Sequence, residues 1–191
     1  MIRLVVLGDI GAGKSHIAKL FGYPVFNADL EVSKIYKTNK IIFKKIKKKI
    51  PGFFSSFPIN KNEMIEAISS NKINLKKITN IVHPKVRLVL KKFLRKNKNK
   101  KFVILDIPLI LENKLNKKSD ILIFVQSKKS EINKRLKKRK NFNKKLLRRF
   151  KEIQLPLELK KKKSKFIIKN NFTYNSVNKS VNYILKKLKN D

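Results

Sequence analysis

Residues Ile2–Leu7 form a near-continuous apolar run that stops at Gly8, the pattern of a strand buried on both faces of a parallel sheet. From His16 to Phe21 the period changes, and Ile17, Leu20 and Phe21 share one helical face. A glycine-rich loop separates the two. Val25-Phe26 predicts a short strand ending at Asn27-Ala28-Asp29, with a helix starting near Ala28. Lys40–Ile50, Asn62–Ser70 and Asn74–Lys96 predict helices, the last interrupted at His83-Pro84 because a proline disfavours helical geometry in the residue before it. No strand pattern occurs in this stretch, which therefore reads as a helical insertion. Strands return at Phe102–Leu105, which runs into Asp106-Ile107-Pro108, and at Ile121–Val125. Lys128–Arg139 and Phe142–Ile153 predict helices, Phe166–Ile168 a last short strand before Asn170-Asn171, and Val177–Leu188 a closing amphipathic helix. Strands alternating with helices imply an α/β fold, a mostly parallel sheet flanked by helices.

At 191 residues the chain suits one domain with a sizeable core, and neither a fixed-period repeat nor a Gly/Ser/Pro linker divides it. With no cysteine and two histidines, disulfide scaffolds, iron–sulfur sites and cysteine-ligated zinc are excluded, and metal chemistry falls to oxygen ligands. The N-terminal apolar run is short and lacks the cleavage pattern of a signal peptide. No segment reaches the roughly 18 apolar residues of a membrane span. A cytoplasmic protein without a membrane partner is the expectation.

The formal net charge of +38 would ordinarily suggest a nucleic-acid binder. However, lysine outnumbers arginine 43 to 7, and the chain holds 24 Ile and 20 Asn against 4 Ala. That is the signature of A/T-rich codons, and arginine, the base-reading residue, is scarce. We therefore expect no specific nucleic-acid partner. Tracts such as Lys44–Lys49 and Lys160–Lys163 read as solvated helix faces.

The chemistry lies in Gly8-Asp9-Ile10-Gly11-Ala12-Gly13-Lys14-Ser15, which fits G-x-x-x-x-G-K-S in its required place between strand and helix. The glycines let backbone N–H groups turn toward phosphate oxygens, and the helix N-terminus adds partial positive charge. Lys14 would reach the β- and γ-phosphates of ATP and Ser15 would hold Mg²⁺. The base-specifying Asn-Lys-x-Asp element of GTPases is absent. A small chain with this loop, a helical insertion and a late basic helical segment points to a nucleotide or metabolite kinase.

Further motifs narrow the acceptor. Val25-Phe26-Asn27-Ala28-Asp29, Ile81-Val82-His83-Pro84, Ile107-Pro108-Leu109-Ile110-Leu111-Glu112, the pair Arg135 and Arg139, and Ile167-Ile168-Lys169-Asn170-Asn171 follow the loop in order. Together they resemble the dephospho-coenzyme A kinase family over nearly the whole chain. That resemblance implies a P-loop kinase fold with residues 1–29, 100–130 and 164–191 as core, 30–99 as a substrate-binding insertion and 131–163 as a lid. It implies phosphorylation of the ribose 3′-hydroxyl of dephospho-coenzyme A by ATP with Mg²⁺. Two departures stand out: Asp9 replaces the second loop glycine, and Asn27 replaces the first acid of a D-A-D motif.

Taken alone, Asp29 reads equally as a helix cap or as a carboxylate that accepts a hydroxyl proton; the resemblance implies the base. His83 alone reads as a structural histidine, whereas the resemblance implies a place beside the acceptor, with Pro108, Leu109 and Glu112. Asp106 ends a strand where P-loop proteins place an acid for Mg²⁺ through water. Arg135 and Arg139, one helical turn apart, are expected on one face, where a guanidinium can neutralise transferring phosphoryl charge. Arg135 and Asn171 are carried as ATP-binding and Arg139, with Lys14, as catalytic.

Overall fold

In the computed structural model, which describes residues 1–139 and 142–190, the apolar runs assemble into a five-stranded sheet. Residues 140 and 141, within the expected lid, and 191, at the end of the expected core, lie outside the described residues. The strands are β1 (Ile2–Gly8), β2 (Val25–Asn27), β3 (Phe102–Asp106), β4 (Ile121–Gln126) and β5 (Phe166–Lys169), in the order β2-β3-β1-β4-β5. Every neighbouring pair is parallel, and Val5 of β1 registers with Leu105 on one side and Leu122 on the other. The central strands are continuous in their hydrophobicity because both faces are covered. Leu4, Val5 and Val6 of β1 and Phe102–Leu105 of β3 are fully buried.

Arg3 is the charged exception in β1. Its guanidinium donates to Asp120 Oδ2 at 2.9 Å and to the Leu115 carbonyl at 3.3 Å. The Lys117 amide donates to the same Asp120 oxygen. Burial nevertheless raises the Asp120 carboxyl above its ordinary range, desolvation outweighing these partners.

The helices are α1 (Lys14–Leu20), α2 (Ala28–Thr38), α3 (Lys40–Lys49), α4 (Lys61–Ser70), α5 (Lys72–Lys96), α6 (Lys129–Lys137), α7 (Lys144–Glu152), α8 (Leu157–Lys162) and α9 (Tyr174–Asn190). The chain divides into two compact units. The first comprises Met1–Asn27, Lys96–Phe142 and Gln154–Asp191; the second, Ala28–Arg95 and Asn143–Ile153. Thus the sheet, α1, α6, α8 and α9 belong to the first unit, and the segment 131–163 contributes to both, since α7 lies in the second. The regular elements of the second unit are helices, with Asn74 of α5 donating from its buried amide to the Ala67 carbonyl of α4.

Two expectations are corrected. α5 is not interrupted at His83-Pro84 but runs unbroken through Pro84. A mid-helix proline costs about 3 kcal/mol, yet Ile78, Val82, Val86 and Leu90 are buried at four-residue spacing on both sides of it, so tertiary packing holds one helical direction across the break. Pro84 itself is exposed. Second, the tract Lys160–Lys163 is not wholly a solvated face: Lys160 is buried and its Nζ lies 2.6 Å from Glu112 Oε1.

Candidate active site

The loop Gly8–Ser15 leaves β1 and enters α1, whose N-cap, Gly13, is left-handed at φ 89°. Its three glycines meet three different neighbours. A Cβ on Gly8 would lie 2.6 Å from the Val125 carbonyl oxygen of β4. One on Gly11, φ 90°, would press at 3.0–3.1 Å on Leu136 and Ile132 of α6, and one on Gly13 would lie 2.5 Å from Asn170 Nδ2. The loop is therefore shaped by surrounding backbone and side chains as much as by its own conformational freedom.

Inside the loop, Lys14 Nζ donates to the Gly8 and Asp9 carbonyls at 3.2 and 2.8 Å, so the ammonium lies over the turn. Asp9 Oδ1 accepts the Ile10 amide at 2.7 Å. The departure at position 9 thus has a local role: its carboxylate caps the loop backbone.

Ser15 and Asp106 come together through a residue that sequence reasoning set aside. Asn27 Nδ2 donates to Asp106 Oδ2 at 2.5 Å and approaches Ser15 Oγ at 3.4 Å. Asn27 and Asp106 are register partners at the ends of β2 and β3, which brings residues 79 positions apart into contact. A hydroxyl and a nearly buried carboxylate are hard oxygen donors that suit Mg²⁺, an ion held by one or two protein oxygens and completed by phosphate and water. Among the described residues no cluster of three or more His, Cys, Asp or Glu side chains forms another candidate metal site.

The two asparagines after β5 have different tasks. Asn170, buried, donates from Nδ2 to the Ala12 carbonyl at 2.8 Å and accepts the Phe172 amide at 2.8 Å. Asn171 instead accepts from Thr173 and Ser176, stabilising the turn into α9. The expected nucleotide-site residue was Asn171, but the contact to the loop belongs to Asn170. Only the presence of an Asn pair signalled it.

Arg135 lies exposed on α6 with its guanidinium 4.3 Å from the centre of the Phe172 ring, a cation–π arrangement with a residue at φ 65°. Arg139 is not on the same helical face, because α6 ends at Lys137 and is capped at Lys138. Its carbonyl instead accepts the Phe142 amide. The helix ends two residues before Arg139, so no helical turn aligns the pair.

Pro108 and Leu109 are half-buried in the turn that follows β3. Glu112, in the same segment, forms an ion pair with Lys160 Nζ at 2.6 Å and accepts the Leu155 amide at 2.9 Å. In the second unit, Asp29 is an exposed residue in the first turn of α2, at the positive end of the helix. His83 is half-buried in α5, and burial first, then the Arg87 charge, lowers its pKa below the ordinary 6.5. It is neutral at physiological pH.

A glycine-rich phosphate loop between the first strand and first helix of an all-parallel sheet, with a serine and a strand-end acid beside it, defines a P-loop kinase. The family model for dephospho-CoA kinase matches residues 3–176. The chain is 34% identical to the dephospho-CoA kinase of Wolbachia sp. subsp. Brugia malayi over 166 residues, covering 84% of this chain and 85% of that one. It is 31% identical to that of Bartonella henselae over 186 residues, 95% of each. The solved dephospho-CoA kinase of Campylobacter jejuni has the same fold, with a TM-score of 0.63 at 24% identity over 97% of this chain and 96% of that one. The chain belongs to the dephospho-CoA kinase family. It is a transferase that uses ATP to convert dephospho-coenzyme A to coenzyme A.

Proposed function

We propose that the chain transfers the γ-phosphoryl group of ATP to the ribose 3′-hydroxyl of dephospho-coenzyme A, with the Gly8–Ser15 loop as the triphosphate cradle and Asp29 as proton acceptor. The observation that carries this reading is the loop itself. Its glycines admit close neighbours, its lysine sits over the turn, and Ser15 and Asp106 meet through Asn27. Backbone N–H groups of Gly11 and Gly13 and the N-terminus of α1 receive phosphate oxygens. On ATP binding Lys14 exchanges its loop carbonyls for β- and γ-phosphate oxygens, so a contact internal to the loop becomes charge neutralisation of the nucleotide. Ser15 and Asp106 would hold Mg²⁺, which when bound screens phosphate charge; Asn27 orients the Asp106 carboxylate for it.

Transfer to a hydroxyl through a loose transition state asks the protein for alignment and for charge stabilisation, with the proton leaving late. Asp29, in the first turn of α2, accepts that proton and orients the 3′-oxygen. Arg135 and Arg139 supply guanidinium charge to the nucleotide and the transferring group. His83 binds the acceptor as a neutral ring, and Pro108 and Leu109 line the acceptor's place. Glu112 is bound within the first unit by Lys160 and Leu155, and its role toward the acceptor is the positioning of that same segment. The reading includes a cytoplasmic location and no sequence-specific nucleic-acid partner.

The test is a coupled assay of ADP release with dephospho-coenzyme A, AMP, adenosine and RNA as acceptors, with and without Mg²⁺. Turnover is expected with dephospho-coenzyme A and Mg²⁺ alone. Equal turnover with AMP would overturn the assignment.

A further inference from the structure

The strands β4 and β5 end side by side, and each delivers one donor to a single carbonyl of the phosphate loop. Ser127, just after β4, donates from Oγ to the Ala12 carbonyl at 3.1 Å; Asn170, just after β5, donates from Nδ2 to the same oxygen at 2.8 Å. The Asn170 amide in turn donates to the Gln126 carbonyl at 2.8 Å, and its side-chain oxygen accepts the Phe172 amide. Asn170 is thereby tied to the last residue of β4, and Ser127 follows that residue directly in the chain.

The Ala12–Gly13 peptide is trans. In a planar trans peptide the C=O and N–H point in opposite directions. A carbonyl drawn toward Ser127 and Asn170 therefore turns the Gly13 N–H away from them. Gly13 is also the N-cap of α1, so this N–H adds to the positive end of the helix. The glycine is required for the arrangement, since a Cβ there would lie 2.5 Å from Asn170 Nδ2.

We propose that Ser127 and Asn170 are positioning residues for the nucleotide: by holding the Ala12 carbonyl outward they preset the Gly13 N–H as a phosphate donor before ATP arrives. This inference rests on the reading of the Gly8–Ser15 loop as the triphosphate cradle. Preset donors strengthen binding because no reorganisation is needed when charge arrives. Losing one of the two donors should cost roughly the worth of one hydrogen bond, about 2- to 13-fold in ATP affinity. Losing both leaves a buried carbonyl without either partner and frees the peptide to rotate, so the double loss should exceed the product of the singles.

The experiment compares Ser127→Ala, Ser127→Thr, Asn170→Ala, the Ser127→Ala/Asn170→Ala double variant and Lys14→Ala in the full chain. Calorimetry with ATP in the absence of acceptor gives Kd, and steady-state assays give KM for each substrate. Circular dichroism reports folding. Expected are an ATP Kd about 2- to 13-fold weaker in each alanine variant, a loss in the double greater than the product of the two singles, and recovery to within about twofold of the parent in Ser127→Thr, which retains the hydroxyl. The KM for dephospho-coenzyme A should stay within about twofold. A merely structural role would disturb both substrates alike, and that result overturns the proposal. So does unchanged ATP affinity in folded Ser127→Ala and Asn170→Ala. Should Asn170→Ala not fold, Ser127→Ala against Ser127→Thr decides the matter alone. Undiminished ATP binding by Lys14→Ala would instead refute the cradle reading itself.

Discussion

Replacing Lys160 by methionine tests what a buried charge does in a chain that is otherwise covered with solvated lysines. The Lys160 side chain is 1% exposed and its Glu112 partner 10%, with Nζ and Oε1 2.6 Å apart. Methionine retains most of the apolar stem but leaves the Glu112 carboxylate buried, with the Leu155 amide as its remaining hydrogen-bond donor. Removing one member of a buried ion pair costs about 3–5 kcal/mol, because the remaining charge keeps its desolvation penalty and loses its compensation. For a chain of this size each kcal/mol moves Tm by about 2–4 °C, so Lys160→Met should lower Tm by about 6–20 °C. Adding Glu112→Gln removes the stranded charge while its amide oxygen still accepts the Leu155 N–H, and should restore most of the loss. Thermal and urea unfolding of the parent, single and double variants, in one buffer at neutral pH, measure this directly. A single variant within about 1 kcal/mol of the parent, or a double variant no more stable than the single, would refute the argument. The same double variant also tests the acceptor role that family resemblance suggests for Glu112: a KM for dephospho-coenzyme A within about twofold of the parent would make Glu112 an internal tie only.

Asp29→Asn should leave ATP affinity unchanged and Tm within a few degrees, while turnover with dephospho-coenzyme A falls by about 10²-fold or more; a rate within a few-fold of the parent would reduce Asp29 to a structural residue. The lowered His83 pKa means that, as pH falls below about 6.5, the unfolded chain takes up a proton that the native state still refuses, so stability declines with falling pH in that window; urea midpoints should show this slope in the parent and lose it in His83→Gln. Gly8→Ala would set a Cβ 2.6 Å from the Val125 carbonyl at φ 146°, and is expected to destabilise by about 3 kcal/mol or more, read as a Tm loss of about 6 °C or more.

What the amino-acid sequence determined by itself was everything carried by neighbouring residues. The loop Gly8–Ser15 is contiguous, so its glycines, lysine and serine were legible together, and the apolar runs of β1, β3 and β4 declared a sheet buried on both faces. The alternation of these runs with helical periods was enough to define the α/β class. Periodicity, however, reports which face of an element is apolar and not what that face meets. Whether Asn170 or Asn171 touches the loop depends on a carbonyl 158 positions away, and the choice was made only when β5 paired with β4. Asn27 looked like a lost acid until the register of β2 on β3 placed it between Ser15 and Asp106. Lys160 was indistinguishable from its neighbours in a lysine tract, since one position in such a run turns inward only when Glu112, brought by another segment, is there to meet it. Pro84 carried a correct local warning that the burial of Val82 and Val86 on either side overrode. In each case the deciding energy came from a contact between segments distant in the chain, a quantity that local propensity does not contain and that exists only once the strands and helices have packed.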